Sequence, residues 1–188
     1  MLDAITQGLQ QSLDHKQAML DSTELHQQIL RAANLCRDAL AAGHKILLCG
    51  NGGSAADSQH IAAELIGRFE VERDALAAIA LTTDTSALTA IGNDYGYEEV
   101  FSRQVAGLGQ AGDVLIGFST SGGSKNVVRA FEVAAKRGVR TIAMTGSKHG
   151  VMADMADVWV ACPSTRTANI QEGHITIGHL ICALIEAE

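Results

Sequence analysis

Over the first forty residues, apolar side chains recur every three or four positions, in "MLDAITQGLQQSLDHKQAML" and then "DSTELHQQILRAANLCRDALAAG". That is the spacing of helices with one apolar face. Asp21 or Ser22 is placed to cap the second helix and Gly43 to end it. Beyond Gly43 the pattern changes. Short, continuously apolar runs appear at "KILLCG" (45–50), "AAIAL" (77–81), "DVLIGF" (113–118), "RTIAMT" (140–145) and "DVWVA" (157–161). Helical patterns fill the gaps at roughly 54–68, 84–92, 98–108, 124–137 and 166–187. Runs this short, apolar on consecutive positions, suit strands covered on both faces. The alternation predicts a doubly wound, mostly parallel sheet with helices on both sides. No repeat, low-complexity tract or linker breaks it, so 1–188 reads as one domain, with 1–43 a helical extension.

Composition narrows the function classes. With 188 residues the chain can bury a substantial core, and acids outnumber bases 21 to 14 for a net charge of -7. There is no Lys/Arg cluster, so no footprint for a nucleic-acid backbone is expected. No apolar run approaches a membrane span, and no membrane partner is expected. Cys36, Cys49, Cys162 and Cys182 lie far apart with no CxxC, and no secretory leader is evident. The expectation is reduced thiols in a cytoplasmic protein.

Two strand-to-helix turns are unusual. One is "CGNGGSAADSQH" after the first strand; the other begins "STSGGS" after the third. In doubly wound sheets ligands bind beyond the carboxyl ends of the strands, where strand order reverses. Glycines let the backbone approach a ligand, and free N–H groups at a helix start favour an anion. Ser119, Thr120, Ser121 and Ser124 add hydroxyl donors. Neither turn matches GxxxxGK[ST] or GxGxxG, which points away from a nucleoside triphosphate and toward a small phosphorylated metabolite. The plainer alternative is that Ser54 and Ser124 only cap helices. Two such turns on one sheet edge favour a phosphate cradle.

A histidine and carboxylate constellation follows. In "QHIAAELIGR", His60 and Glu64 are four apart and share a helical face. In "NIQEGHITIGHLICALIE", Gln171 and His179 are eight apart, about 12 Å along a helix axis. They reach one point only by leaning together, or they serve a site shared with a second chain. Nitrogen and oxygen donors of this kind suit zinc or another divalent ion. Each residue, His174 included, also has an ordinary reading as a packed, solvated or capping group, and spacing does not choose.

Taken together, "CGNGGSAADSQHIAAELIGRF", "ALTAIGNDYGYEEVFSRQV", "GDVLIGFSTSGGS" and "IQEGHITIGH" resemble the sugar isomerase (SIS) domain family, most closely its phosphoheptose isomerases, from about residue 30 onward. The resemblance implies a three-layer α/β/α sandwich around a five-stranded parallel, flavodoxin-like sheet, assembled as a homotetramer. It implies conversion of D-sedoheptulose 7-phosphate, a phosphorylated seven-carbon sugar, to D-glycero-D-manno-heptose 7-phosphate. That is the first step toward nucleotide-activated heptose for the bacterial surface. By position, His60, Glu64, Gln171 and His179 match the family's zinc ligands. Asn51, Gly52, Gly53, Asn93 and Asp94 match sugar-lining residues, with Gln171 and Glu64 also at the substrate. Ser119, Thr120, Ser121 and Ser124 match the phosphate loop, and Glu64 and His179 the acid–base pair. The chain departs from the family's usual pattern at Gly123, Ala168 and Asn169, which bears on sugar contacts rather than on ligands.

The expected chemistry is proton transfer through an enediol, with Glu64 as base and His179 as acid. Two other readings come from different classes. One is a non-catalytic SIS adaptor that binds the replication initiator, a branch that lacks the equivalents of Glu64 and His179. The other is an isomerase or sensor for a different sugar phosphate.

Overall fold

A computed structural model describes residues 1–187. Two N-terminal helices, α1 (Leu2–Asp21) and α2 (Thr23–Ala41), precede the sheet. Ser22 makes the break between them, and its side chain accepts the Leu25 amide as an N-cap. The strands are β1 (Ile46–Gly50), β2 (Ala78–Ala80), β3 (Val114–Ser119), β4 (Arg140–Thr145) and β5 (Val158–Ala161). They form one parallel sheet in the order β2-β1-β3-β4-β5. Strand order therefore reverses between β1 and β3, the two strands that end in the unusual turns.

The helices α3 (Gly53–Ile66), α4 (Thr85–Tyr95), α5 (Ser102–Leu108), α6 (Lys125–Arg137), α7 (Val151–Met155) and α8 (Thr167–Glu186) cover the sheet. Alternate strand residues feed two cores. Ile46, Leu48, Ile116, Phe118, Ile142 and Met144 pack beneath α2, α3 and α8. Leu47, Cys49, Leu115 and Ala143 face Phe101, Val105, Val127 and Phe131 from α5, α6 and the turn before α5. The result is a three-layer α/β/α sandwich, with both faces of the central strands buried as their unbroken apolar runs require.

Several details differ from the sequence expectation. β2 is an edge strand of only three residues and leaves Ile79 exposed. The single helix expected over 98–108 divides into a 3-10 turn, Tyr97–Glu99, and α5, with the Ser102 hydroxyl turned back onto the Glu99 carbonyl. α4 runs on to Tyr95 and stops at Gly96, whose φ is +90°. α7 was not expected. Its five residues are too few for a helical period to register, and its anchor is the single buried side chain Met152.

At Gly117, in the middle of β3, an added Cβ would lie 2.5 Å from Phe131 and 2.7 Å from Val127. Glycine there lets α6 sit close to the sheet. That close seat sets the start of α6 directly behind the serine-rich bend.

Candidate active site

The two turns lie side by side at the reversal of strand order. In the first, Gly52 adopts φ +55° and is the N-cap of α3. Ser54 does not cap: it is buried, and an added Cβ at Gly50 would lie 2.7–2.9 Å from its atoms. In the second, Ser124 occupies the N-cap position of α6 without a capping bond from its side chain. Its hydroxyl pairs instead with Ser119 Oγ at 2.8 Å, and Ser121 Oγ lies 3.4 Å from the same atom. The plain capping account of both serines therefore fails. Three hydroxyls converge inside the bend, and at the start of α6 the Lys125 and Asn126 amides have no hydrogen-bond partner among the described residues, the arrangement that receives an anion.

Two clefts flank this bend. One, of about 170 Å³, is lined by Thr120, Ser121, Lys148, Ser164, Thr165 and Thr167. The other, of about 440 Å³, is lined by Asn51, Tyr97, Glu98, Ser124, Lys125 and Asn126. Asn51 and Asn126 exchange amide hydrogen bonds at 2.8 and 2.9 Å, and the Tyr97 hydroxyl donates to Asn51 Oδ1 at 3.1 Å. This lattice locks the two turns together. Asn93 and Asp94 sit on the exposed last turn of α4 and hydrogen-bond each other at 2.8 Å.

α3 carries the chemistry away from the first turn. Gly53, Asp57, His60 and Glu64 follow the i, i+4, i+7, i+11 spacing of a single helical stripe. At its far end His60 Nε2 lies 2.8 Å from His179 Nε2 and 3.1 Å from Glu64 Oε1. The three residues offer ligand atoms that all lie within 4.8 Å of one another. His60 is exposed and the other two are half-buried, so the group opens to solvent. Two facing imidazole nitrogens demand either a shared proton or a cation. Two nitrogens and a carboxylate oxygen, with room for a further ligand, fit the donor set of a catalytic zinc. No ion is part of the structure.

Gln171 stands apart from this group. Its amide packs on Gly53, where an added Cβ would lie 2.9 Å from its Cδ. Gly53 is seven residues, about 10 Å of helix, before His60. α3 and α8 run side by side in the same direction, with Gln171 beside Gly53 in the first turn and His179 beside His60.

Asp57 is a candidate that sequence reasoning missed. It lies on the stripe between turn and triad, and its Oδ2 is buried without a hydrogen-bond partner among the described residues. Burial pushes its carboxyl up to about 6, with the nearby His60 partly opposing. A buried acceptor left open in a site is a ready partner for a ligand hydroxyl. The helical spacing to His60 was the available signal.

Residues 13–146 match the family model described as the SIS domain. Among curated relatives, the phosphoheptose isomerase of Akkermansia muciniphila is 59% identical over 160 residues, covering 85% of each chain. The solved phosphoheptose isomerase of Neisseria gonorrhoeae matches with a TM-score of 0.92 at 48% identity, covering 98% of each chain. That of Francisella tularensis matches at 0.95 with 38% identity, covering 100% of this chain and 98% of its own.

Proposed function

The chain belongs to the SIS domain family and, within it, to the phosphoheptose isomerases, and from that premise we propose how its residues carry the reaction. It is an isomerase that interconverts D-sedoheptulose 7-phosphate and D-glycero-D-manno-heptose 7-phosphate. The observation that carries the residue assignment is the layout of α3, whose first turn is joined to the anion-receiving bend through Asn51 and Asn126 and whose proton-handling triad lies about 10 Å further along. A phosphate held by Ser119, Thr120, Ser121, Ser124 and the first amides of α6 lays an extended sugar along the α3 stripe. Asn51, Gly52, Gly53, Asn93, Asp94 and Gln171 line the sugar. Asp57 supplies a further acceptor for its hydroxyls.

Aldose–ketose exchange needs one group to take a proton from carbon and another to manage protons on the two oxygens. Glu64 is assigned the first role and His179 the second. Zinc, held by His60, Glu64 and His179 with Gln171 as the family's fourth ligand, supplies polarisation of the carbonyl and hydroxyl when bound. Gln171 packs on Gly53, about 10 Å of helix before His60, so its side chain reaches that ion by leaning along α8 or from a second chain of the assembly. Residues 1–43 are assigned to subunit packing in a homotetramer, and the setting to the cytoplasm. An initiator-binding adaptor is not favoured, because Glu64 and His179 are both present and meet at one point.

The test is incubation of the purified protein with sedoheptulose 7-phosphate, with product identification and metal analysis. Glu64→Gln is expected to lower kcat by about 10²- to 10⁴-fold, the range of a general base. Full activity in that variant removes Glu64 from the mechanism.

A further inference from the structure

α3 and α8 carry the whole triad, and their C-terminal ends are tied together by a pair that the reaction does not use. Glu186, the last residue of α8, has a side chain only 2% exposed. Its carboxylate accepts the backbone amides of Phe69, Glu70 and Val71 at 2.9, 2.8 and 3.0 Å, and Arg73 Nε at 2.8 Å. The Arg73 guanidinium in turn donates to the carbonyls of Glu64 and Leu65 at 3.0 and 2.9 Å. These carbonyls belong to the last turn of α3, which lacks helical partners of its own.

A carboxylate out of water at the negative end of a helix is doubly disfavoured. Burial pushes Glu186 up, but the three amides and Arg73 outweigh it and hold the group at about 2. Such complete compensation marks a built contact. Its two products both reach the triad. The segment it holds carries Phe69, whose ring stacks on the His179 imidazole at 5.2 Å and 21°. The carbonyl that Arg73 grips is that of Glu64 itself.

We propose that Arg73 and Glu186 are positioning residues for the triad: together they set the helix bearing Glu64 against the helix bearing His179 and fix the His179 ring through Phe69. This rests on the isomerase reading for its consequence in turnover, but not for its consequence in metal binding. Lysine at 73 would keep the charge yet lose the fork that serves one carboxylate and two carbonyls at once.

The experiment compares the full-length parent with Arg73→Lys and Glu186→Gln. Zinc(II) affinity is measured by chelator competition, imidazole signals of the metal-free protein by NMR, and amide exchange residue by residue. Both variants are expected to bind zinc about 10- to 100-fold more weakly, as when supporting partners of metal ligands are lost. They are expected to shift the ring signals of His60 and His179, and to lower kcat with KM little changed, while β3 and β4 amides stay protected. Loss of protection at Phe69–Val71 with parental zinc affinity and parental histidine signals overturns the proposal. If both variants fail to fold, Phe69→Leu carries the same comparison, since it removes only the stack on His179. A parent inactive on heptose phosphate would defeat the functional assignment, while zinc affinity and the histidine signals would still decide the clamp.

Discussion

Five residues separate His174 from His179 on α8, about 140° around the axis at 3.6 residues per turn. One ring therefore points inward and the other outward. His174 is fully buried, its Nε2 donates to the Thr145 carbonyl at 3.2 Å, and Phe118 meets its ring edge at 5.8 Å. Burial pushes its pKa from 6.5 down to about 4, with the carbonyl contact partly opposing. The unfolded chain takes up this proton near pH 6.5, while the folded chain resists until about pH 4. The stabilising contribution of the neutral ring is thus whole above pH 6.5 and is lost as pH falls to 4, by about 3 kcal/mol in all. Urea titrations from pH 7 to 4.5 are expected to show a falling midpoint, with a shallower fall in His174→Gln. Equal slopes in the two proteins would mean that His174 is not the group responsible.

At the scale of elements, the α3–α8 contact depends on a small residue beside the triad. A Cβ on Gly178 would lie 2.6 Å from Ile61 Cδ1 and 2.8 Å from its Cγ1. Ile61 is 1% exposed and β-branched, so it has little freedom to move aside. Gly178→Ala gains about 1 kcal/mol in helix propensity but incurs about 1–3 kcal/mol of overpacking. A net loss of stability is expected, read as a lower urea midpoint, together with weaker metal binding because His179 is the next residue. A variant more stable than the parent would show that Ile61 gives way.

At the scale of the molecule, α1 is held from Gln11 onward, where the Asn169 side-chain amide donates to the Gln11 carbonyl at 2.9 Å. His15 and Met19 are its buried residues, and Lys16 donates to the Glu172 carbonyl at 3.0 Å. Leu2, Ile5, Leu9 and Leu13 stand 59–79% exposed along the helix. Apolar positions spaced this way on an unpartnered helix fit a face covered by other copies of the chain. A Leu9→Asp, Leu13→Asp double variant is expected to sediment as a smaller species than the parent and to lose activity. A parent that sediments as a monomer would remove the assembly from the account.

Much of the architecture was legible from local pattern. β1, β3, β4 and β5 fall within a residue of the apolar runs, because central parallel strands are buried on both faces and tolerate little else. The Ser22 cap and the two glycine-bearing turns were legible because capping and tight turns are local chemistry. Short elements such as α7 were not, since one buried methionine leaves no period to read. At the site, the four-residue step from His60 to Glu64 was visible, and so were the hydroxyls of the bend. Spacing alone did not bring His179 to 2.8 Å from His60, seat Gln171 on Gly53, or bury one oxygen of Asp57. Those outcomes depend on how two helices more than a hundred residues apart in the chain come to lie in register. Helix-on-helix packing sets that register through contacts such as Ile61 on Gly178, and neither segment encodes it alone.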